Sequence, residues 1–327
     1  MTNKYKVPPQ IKVRVKSANE IGNGKKAFLS RRTAGDVIFD TVNFIIMIVF
    51  TITMLYPLLN TVAVSFNDGT DALRGGIHLW PRMFTFDNYK AVLRRDLMPT
   101  AAKISVLRTV IGTALMVFVS SLAGYLVTKK EMWHRQFWYR FLVVTMYFNA
   151  GLIPWYLNMS MLGLTDTFAA YIIPGIVSPY NIILVKTYIE SIPAEIEESA
   201  FMDGASYWTI YRKIIWPLSK PILATIAIFG AVGHWNSFQD SLILNANSPA
   251  LYTLQHRLYI YLNQSSNLGA VVASGTSSSD ASALASSFNT KILQYTISMV
   301  TIIPILCVYP FMQRYFEKGL MLGAVKG

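Results

Sequence analysis

The chain of 327 residues is 53% apolar and only 14% charged. Soluble domains carry about 25% charged residues, so this composition excludes an ordinary soluble protein and indicates a membrane protein. The net charge is +12, with nine Lys or Arg against Glu20 and Asp36 in residues 1–36. A single cysteine, Cys307, excludes an intramolecular disulfide framework, and the four histidines are too scattered in sequence to indicate a metal site.

Residues 1–36 are predicted to form a basic cytoplasmic tail. A basic arm beside an apolar stretch indicates retention next to anionic lipid rather than binding to nucleic acid. No apolar stretch begins before Val37, so the first residues do not resemble a cleaved signal peptide.

Six stretches are apolar and close to the roughly 20 residues that a helix needs to cross the bilayer. They are residues 37–66, 104–127, 138–162, 168–189, 221–244 and 292–316. Lys and Arg concentrate in the amino-terminal tail, in the loops after the second and fourth stretches, and at the carboxyl end, although the outer loop 67–103 also carries several. Because cytoplasmic loops hold the excess of basic residues, both termini are predicted to be cytoplasmic. We therefore predict an all-α membrane protein with six transmembrane helices and a core over residues 104–327.

Helix-breaking residues interrupt two of these stretches near their centres. Asn149 and Gly151 lie in the third stretch, and Pro174 and Pro179 lie in the fourth. Broken backbone at that depth is tolerated where protein or a water-filled cavity satisfies the freed polar groups, which indicates a transport path. A packing kink without a transport role is the alternative.

The outer loop 245–290 divides into two parts. Apolar residues at helical spacing predict a short amphipathic helix from Ala250 to Leu262, lying on the outer surface or touching a partner. Residues 265–287 are rich in Ser, Ala and Gly and are predicted to be flexible or irregular.

The inner loop 190–220 carries the most specific pattern. Pro193 and the three glutamates of residues 195–198 suit the first turn of a helix, which Gly204 then interrupts. A second amphipathic helix follows, and Pro217 ends it. Five acidic residues between positions 190 and 203 disfavour an anionic lipid surface and favour docking onto a protein.

This loop resembles the cytoplasmic signature of the inner-membrane subunits of binding-protein-dependent ABC importers, which is Glu-Ala-Ala, a Gly after three further residues, then Ile-x-Leu-Pro. The residues that the resemblance identifies as ATPase-coupling residues are Glu198, Ser199, Ala200, Asp203, Gly204, Ala205, Ile214 and Pro217. Ser199 replaces an Ala and Trp216 replaces the Leu, whereas the acid, the Gly and the Pro are kept. The resemblance implies the type I ABC importer permease fold, with this loop as the coupling helix in a cleft of the ATPase.

Further resemblances indicate carbohydrate import. Residues 234–244 are similar to the Trp-Asn-x-Phe pattern of sugar permeases, and residues 148–164 and 251–255 resemble the branch that imports complex polysaccharide fragments. The carboxyl end resembles that of the second of two unlike permease subunits in maltose-type importers. That likeness implies ATPase contacts by Gly323, Lys326 and Gly327, whereas composition alone would predict a frayed end.

The same resemblance implies a set of partners. They are a second, unlike permease subunit, an ATPase dimer that binds ATP and Mg²⁺, an extracytoplasmic solute-binding protein, an oligosaccharide substrate and the lipid of the bacterial cytoplasmic (inner) membrane. This chain has no GxxxxGK[ST] loop, so hydrolysis is assigned to the partner ATPase. No cofactor, metal ligand or catalytic residue is expected in this chain, and no nucleic acid.

Uncharged polar and aromatic residues are the candidates for lining the translocation path, because sugars offer hydroxyl groups for hydrogen bonds and C–H faces for stacking. The candidates are Tyr147, Asn149, Ser178, Tyr180, Asn181, Trp235 and Asn236. An interfacial aromatic belt is the alternative for Trp235, and an interhelical hydrogen bond is the alternative for Asn149.

Two other functions stay open at this point. A channel or an ion-coupled carrier needs no ATPase, but such carriers usually place charges inside their spans, whereas Arg108, Lys186 and Asp240 are predicted near span ends. A membrane enzyme needs a nucleophile with a base, or a metal set, and the sequence indicates neither. Which oligosaccharide is taken up, and whether it is acidic, also stays open.

Overall fold

The computed structural model describes residues 34–72, 75–94, 97–273 and 292–310. Within these ranges the regular elements are helices, apart from an isolated antiparallel bridge between Asn67 and Phe84. The prediction of an all-α protein is thereby confirmed for the described part of the chain. The chain forms two compact units, and the division between them falls after Leu59.

The helices follow one another with short connections. In chain order they are α1 Ala34–Ser65, α2 Gly69–Ala72, α3 Asp87–Arg94, α4 Met98–Thr128, α5 Arg135–Tyr147, α6 Leu152–Met161, α7 Pro179–Ile189, α8 Ala194–Met202, α9 Tyr207–Ile210, α10 Trp216–Leu218, α11 Lys220–Asn236, α12 Gln239–Leu244, α13 Leu254–Ala273 and α14 Ile292–Pro310. Helix α1 exposes large apolar side chains such as Phe44 and Phe50. Apolar side chains of this kind suit contact with lipid. A helix also suits lipid because it satisfies its own backbone hydrogen bonds there.

Helix α4 is the centre of the second unit, and it packs against α7 and α11. Small residues permit this contact. A Cβ atom added at Gly112 would lie 2.6 Å from the ring of His234 on α11, and one at Gly124 would lie 2.9 Å from Val185 on α7. Glycines let helix backbones approach closely, which is how helices associate where lipid removes the hydrophobic driving force.

The interruptions predicted in the third and fourth stretches are present. The third stretch is divided into α5 and α6 by residues 148–151. The fourth begins as two 3₁₀ turns, Phe168–Tyr171 and Ile173–Gly175, and continues as α7 after a bend of 45°. The side chain of Ser178 caps α7 by accepting the backbone N–H of Asn181.

The fifth stretch is also divided, which corrects the prediction of a continuous helix over residues 221–244. Helix α11 ends at Asn236, Ser237 is extended, and α12 begins at Gln239. The Arg108 guanidinium donates to the Ser237 carbonyl oxygen at 2.9 Å. That carbonyl, which lies in the interruption, therefore has a hydrogen-bond partner outside the helix.

Three described helices are long and apolar enough to cross a membrane, namely α1, α4 and α14. Two bent pairs reach the same standard when each is counted as one span, and these are 168–189 and 207–236, the second bent by 78°. The third predicted stretch, divided into α5 and α6, is not among the five. Residues 311–316 of the sixth stretch lie outside the described residues.

The outer helix predicted over residues 250–262 is present as a 3₁₀ turn, Pro249–Leu251, followed by α13. Helix α13 continues to Ala273, so residues 265–273 are helical where an irregular segment was predicted. Helix propagation costs little once a first turn is formed, which explains how the helix extends into a Ser- and Gly-containing sequence.

Candidate functional site

The inner segment, Pro193–Ser219, is a pair of helical stretches joined by a tight turn. Glutamates 195 and 197 lie in the first turn of α8, where the helix dipole favours negative charge. At its other end the N–H of Gly204 donates to the Phe201 carbonyl oxygen at 2.9 Å, and the N–H of Ala205 donates to that of Ala200 at 3.0 Å. This pair of bonds needs a left-handed residue after the helix, and Gly204 supplies it with φ +78°.

The buried face of the inner segment packs against α4, α7 and α11. The apolar cluster joins Ala200, Ile210, Tyr211 and Ile215 of this segment to Tyr125, Val185, Ile189, Leu223 and Ile226. The Tyr211 hydroxyl donates to the Ser121 Oγ at 3.1 Å. The inner segment is therefore in direct apolar contact with α4, α7 and α11.

The carboxyl-terminal end of α4 is attached to α8 by an ion pair. The Lys129 ammonium pairs with Glu197, and it also lies 4.2 Å from the centroid of the Tyr125 ring. Glu131, two residues further on, interacts with the Tyr207 hydroxyl at the start of α9. These contacts join residues about 70 positions apart, and the sequence pattern of the inner loop gives no sign of them.

The predicted ATPase-coupling residues divide between surface and core. Glu198, Ser199, Asp203, Gly204 and Pro217 are exposed, Ala205 and Ile214 are half-buried, and Ala200 is buried in the cluster just described. The apolar residues at the exposed turn were not among the predicted coupling residues. Met202 is 88% exposed and Trp208 is 53% exposed, so the exposed turn carries large apolar side chains beside its acidic ones. Their position within four residues of the Asp203-Gly204 turn was the available signal.

A cavity of about 950 Å³ lies between α4, the interrupted third and fourth stretches and α11. Four of the predicted path residues line it, namely Asn149, Ser178, Tyr180 and Asn181. Its remaining wall is partly aromatic, with Trp155 and Phe229. The broken backbone of both stretches faces this cavity, in agreement with the physical reason given for tolerating such breaks.

The other three predicted path residues do not line the cavity. Tyr147 is 85% exposed at the end of α5. The indole N–H of Trp235 donates to the Thr301 carbonyl oxygen at 3.0 Å, and its ring lines a separate apolar pocket. The side-chain oxygen of Asn236 accepts from Gln255 at 3.3 Å. For Trp235 and Asn236, these are contacts that tie helices together.

A buried ion pair in the cavity wall was not foreseen. Arg108 pairs with Asp240, and its guanidinium lies 4.7 Å from the centroid of the Tyr171 ring. The two charged residues are 132 positions apart, so no local motif connects them. The sequence indicated this pair only indirectly, by placing opposite charges near the outer ends of two apolar stretches.

A hydrogen-bond chain continues from this pair towards α13. The Tyr171 hydroxyl donates to Ser241 at 2.8 Å, and the Ser241 hydroxyl lies 2.9 Å from Nδ1 of His256. Burial lowers the pKa of His256 to about 4, with the nearby Arg257 charge acting in the same direction. The imidazole is therefore neutral at pH 7. Among the described residues, no three His, Cys, Asp or Glu side chains are grouped closely enough to hold a metal ion.

The chain matches a known protein family over most of its length. The family model described as "Binding-protein-dependent transport system inner membrane component" matches residues 26–322. The chain is similar to the polygalacturonan/rhamnogalacturonan transport system permease protein YtcP of Bacillus subtilis (strain 168). The identity is 34% over 292 residues, which cover 89% of this chain and 99% of the relative.

Two further likenesses agree with this match. The chain is 29% identical to the arabinooligosaccharides transport system permease protein AraQ of Halalkalibacterium halodurans, over 84% of this chain and 91% of the relative. Its fold is similar to a chain in the crystal structure of a bacterial ABC transporter involved in the import of the acidic polysaccharide alginate. The TM-score is 0.75 and the identity 32%, with 87% of this chain and 99% of that chain covered.

Proposed function

Because the chain belongs to the family of binding-protein-dependent transport system inner membrane components, we propose that it is a transmembrane permease subunit of an ATP-driven importer that takes up an oligosaccharide. The family match over residues 26–322 carries this proposal. The names of the relatives add the substrate class, since they refer to polygalacturonan, arabinooligosaccharides and alginate.

The importer has several partners in this proposal. A separate ATPase dimer binds ATP and Mg²⁺, a solute-binding protein delivers the oligosaccharide from outside, and a second, unlike permease subunit completes the path. The chain lies in the bacterial cytoplasmic membrane with six spans and both termini inside, and α5 with α6 forms the third span. The three long apolar helices and the bent pair 168–189 support this arrangement.

The inner segment is the part that docks onto the ATPase. Its exposed turn combines acidic side chains with Met202 and Trp208, which suits a protein surface better than an anionic leaflet. Its buried face and the Lys129–Glu197 pair connect that turn to the membrane-facing helices. The carboxyl-terminal contacts predicted for Gly323, Lys326 and Gly327 lie outside the described residues and remain a prediction.

The cavity of about 950 Å³ is this subunit's share of the translocation path. Amide and hydroxyl groups of Asn149, Ser178 and Asn181 can exchange hydrogen bonds with sugar hydroxyls, and the rings of Tyr180 and Trp155 offer apolar faces. Arg108 is already paired with Asp240, so the wall presents no isolated charge there that would hold an anionic sugar tightly.

Reconstitution tests this function directly. The full chain is expressed with its neighbouring transport genes, purified in mild detergent and placed in proteoliposomes with the binding protein. We expect an ATPase to copurify, and we expect ATP-dependent uptake of at least one of labelled oligogalacturonate, alginate oligosaccharide or arabino-oligosaccharide. Ion conduction without ATP, or purification without any ATPase, would contradict the proposal and favour a channel or carrier.

A further inference from the structure

The loop between α4 and α5 contains a pocket that has no role in the proposed transport function. This basic pocket has a volume of about 680 Å³ and lies where α5 begins. It is lined by Lys130, Met132, His134, Arg135, Gln136, Phe137 and Arg140. Three of these side chains are permanently cationic, and none is acidic.

The positive charge in the basic pocket is not neutralised by the described part of the chain. Neither Lys130 nor Arg140 has an ion-pair partner there, and Arg135 donates to the Thr128 carbonyl oxygen at 3.1 Å. The neighbouring acid, Glu131, is directed to Tyr207 of the inner segment instead. Lys129 is likewise removed from the pocket by Glu197. In this loop, Lys129 and Glu131 therefore contact the inner segment. The other cationic side chains line the pocket instead.

The start of α5 adds to the same field. This helix of 13 residues has no acidic residue in its first turn, and its first residue is Arg135. Cationic side chains at the positive end of a helix dipole are unfavourable unless an anion lies nearby. An anionic group in the basic pocket would relieve this repulsion.

An exposed aromatic surface continues from the pocket along the same helix. Phe137, which lines the pocket, stacks on Phe141 one turn later with 6.3 Å between ring centroids. Trp133 is 74% exposed beside the pocket, and Phe137 and Phe141 are also exposed. A phosphate-binding pocket for a free anion would need no such surface. A phospholipid presents both a negatively charged headgroup and apolar chains, and aromatic rings concentrate at that level of a membrane.

We infer that the basic pocket binds the phosphate headgroup of an anionic phospholipid of the inner leaflet, with its acyl chains against Phe137 and Phe141. The inference rests on the proposed orientation, in which the loop after α4 is cytoplasmic. Basic pockets between helices on the cytoplasmic side are suited to such headgroups, because each Lys or Arg near the surface attracts anionic lipid. Since Glu131 and Lys129 connect the same loop to the inner segment, the lipid lies next to the surface that docks the ATPase.

Native mass spectrometry of the purified full chain with its copurifying subunits tests the site. The probes are phosphatidylglycerol, phosphatidylcholine and inorganic phosphate. The wild type should retain phosphatidylglycerol in preference to phosphatidylcholine. Lys130→Gln/Arg140→Gln should weaken phosphatidylglycerol binding by about tenfold or more, because two cations are lost. Lys130→Arg/Arg140→Lys keeps both charges and should bind as the wild type does.

The matched control is Lys90→Gln/Lys103→Gln, which removes two exposed cations from α3 and α4 at the other end of α4 and should leave binding unchanged. Equal phosphatidylglycerol binding by the pocket variant and the wild type would overturn the inference. Displacement of the lipid by millimolar phosphate would replace it with a free-phosphate site. Loss of the ATPase from the pocket variant, with lipid binding unchanged, would show that the pocket contacts protein. If lipid discrimination is seen but no oligosaccharide is transported, only the proposed function fails.

Discussion

At the scale of single residues, Gly204 shows how one position can serve two requirements. Its φ of +78° belongs to the left-handed region, which glycine adopts without strain. A Cβ atom there would meet nothing within 4 Å in this chain. The isolated chain therefore has room for a side chain at Gly204, and the bulk of that side chain would matter only to a docked partner.

Two substitutions separate these requirements. Gly204→Asn retains a residue that tolerates the left-handed conformation, whereas Gly204→Trp adds a strain of about 1–2 kcal/mol and a large ring. We expect both chains to insert into the membrane, and we expect substrate-stimulated ATP hydrolysis to be uncoupled from uptake strongly in the Trp variant and weakly in the Asn variant. The measurement is hydrolysis and uptake in proteoliposomes. Normal stimulation and uptake in Gly204→Trp would show that no partner approaches this turn.

At the scale of helices, the Arg108–Asp240 pair attaches α4 to α12 across the interruption after α11. Arg108 also holds the Ser237 carbonyl that the interruption frees. A buried pair of this kind is costly to break from one side, because the remaining charge is left without a partner. The pair accordingly stabilises the local geometry of the cavity wall more than it adds to total stability.

Asp240→Asn should lower the stability of the chain by roughly 3 kcal/mol, because it leaves the Arg108 charge buried and unpaired. Arg108→Met/Asp240→Asn removes both charges and should recover much of that loss. Thermal unfolding in detergent measures both variants, with Lys90→Gln as an exposed-charge control. If the double variant is as unstable as the single one, the ion pair is not what Asp240 contributes.

At the scale of the whole second unit, α4 joins the two parts of the candidate site. Arg108 and Met116 face the cavity, whereas Tyr125 and Lys129 contact the inner segment. At 1.5 Å per residue, the 17 positions from Arg108 to Tyr125 span about 25 Å of continuous helix. A rigid element of this length can carry a displacement from the inner segment to the cavity.

Cysteine labelling tests that movement. In a Cys307→Ser background, which removes the exposed native thiol, cysteines replace Asn149, Ser178 or Asn181. We expect a small polar thiol reagent to modify them at different rates in the nucleotide-free and ATP-trapped complexes, because access to the cavity alternates. Trp235→Cys, outside the cavity, is the control and should not change its rate. Unchanged rates at all three cavity positions would contradict a role in the path.

The sequence by itself determined the features that depend on near neighbours. Apolar stretches of span length, the interruptions at Asn149–Gly151 and Pro174–Pro179, the turn at Gly204 and the outer helix all follow from residues a few positions apart. Hydropathy and helix capping act over that range, so local patterns carry their signal. The family signature in the inner loop is local for the same reason.

Only the tertiary structure decided which of these residues meet. It buried Ala200 and exposed Met202, paired Arg108 with Asp240, and separated Trp235 from a cavity that Asn149 and Asn181 share. Contacts of this kind depend on how α4, α7 and α11 pack, and that packing is set by side chains from distant parts of the chain. A residue's neighbours along the chain therefore predict its helix, but its partners across the helices are known only once the helices are in contact.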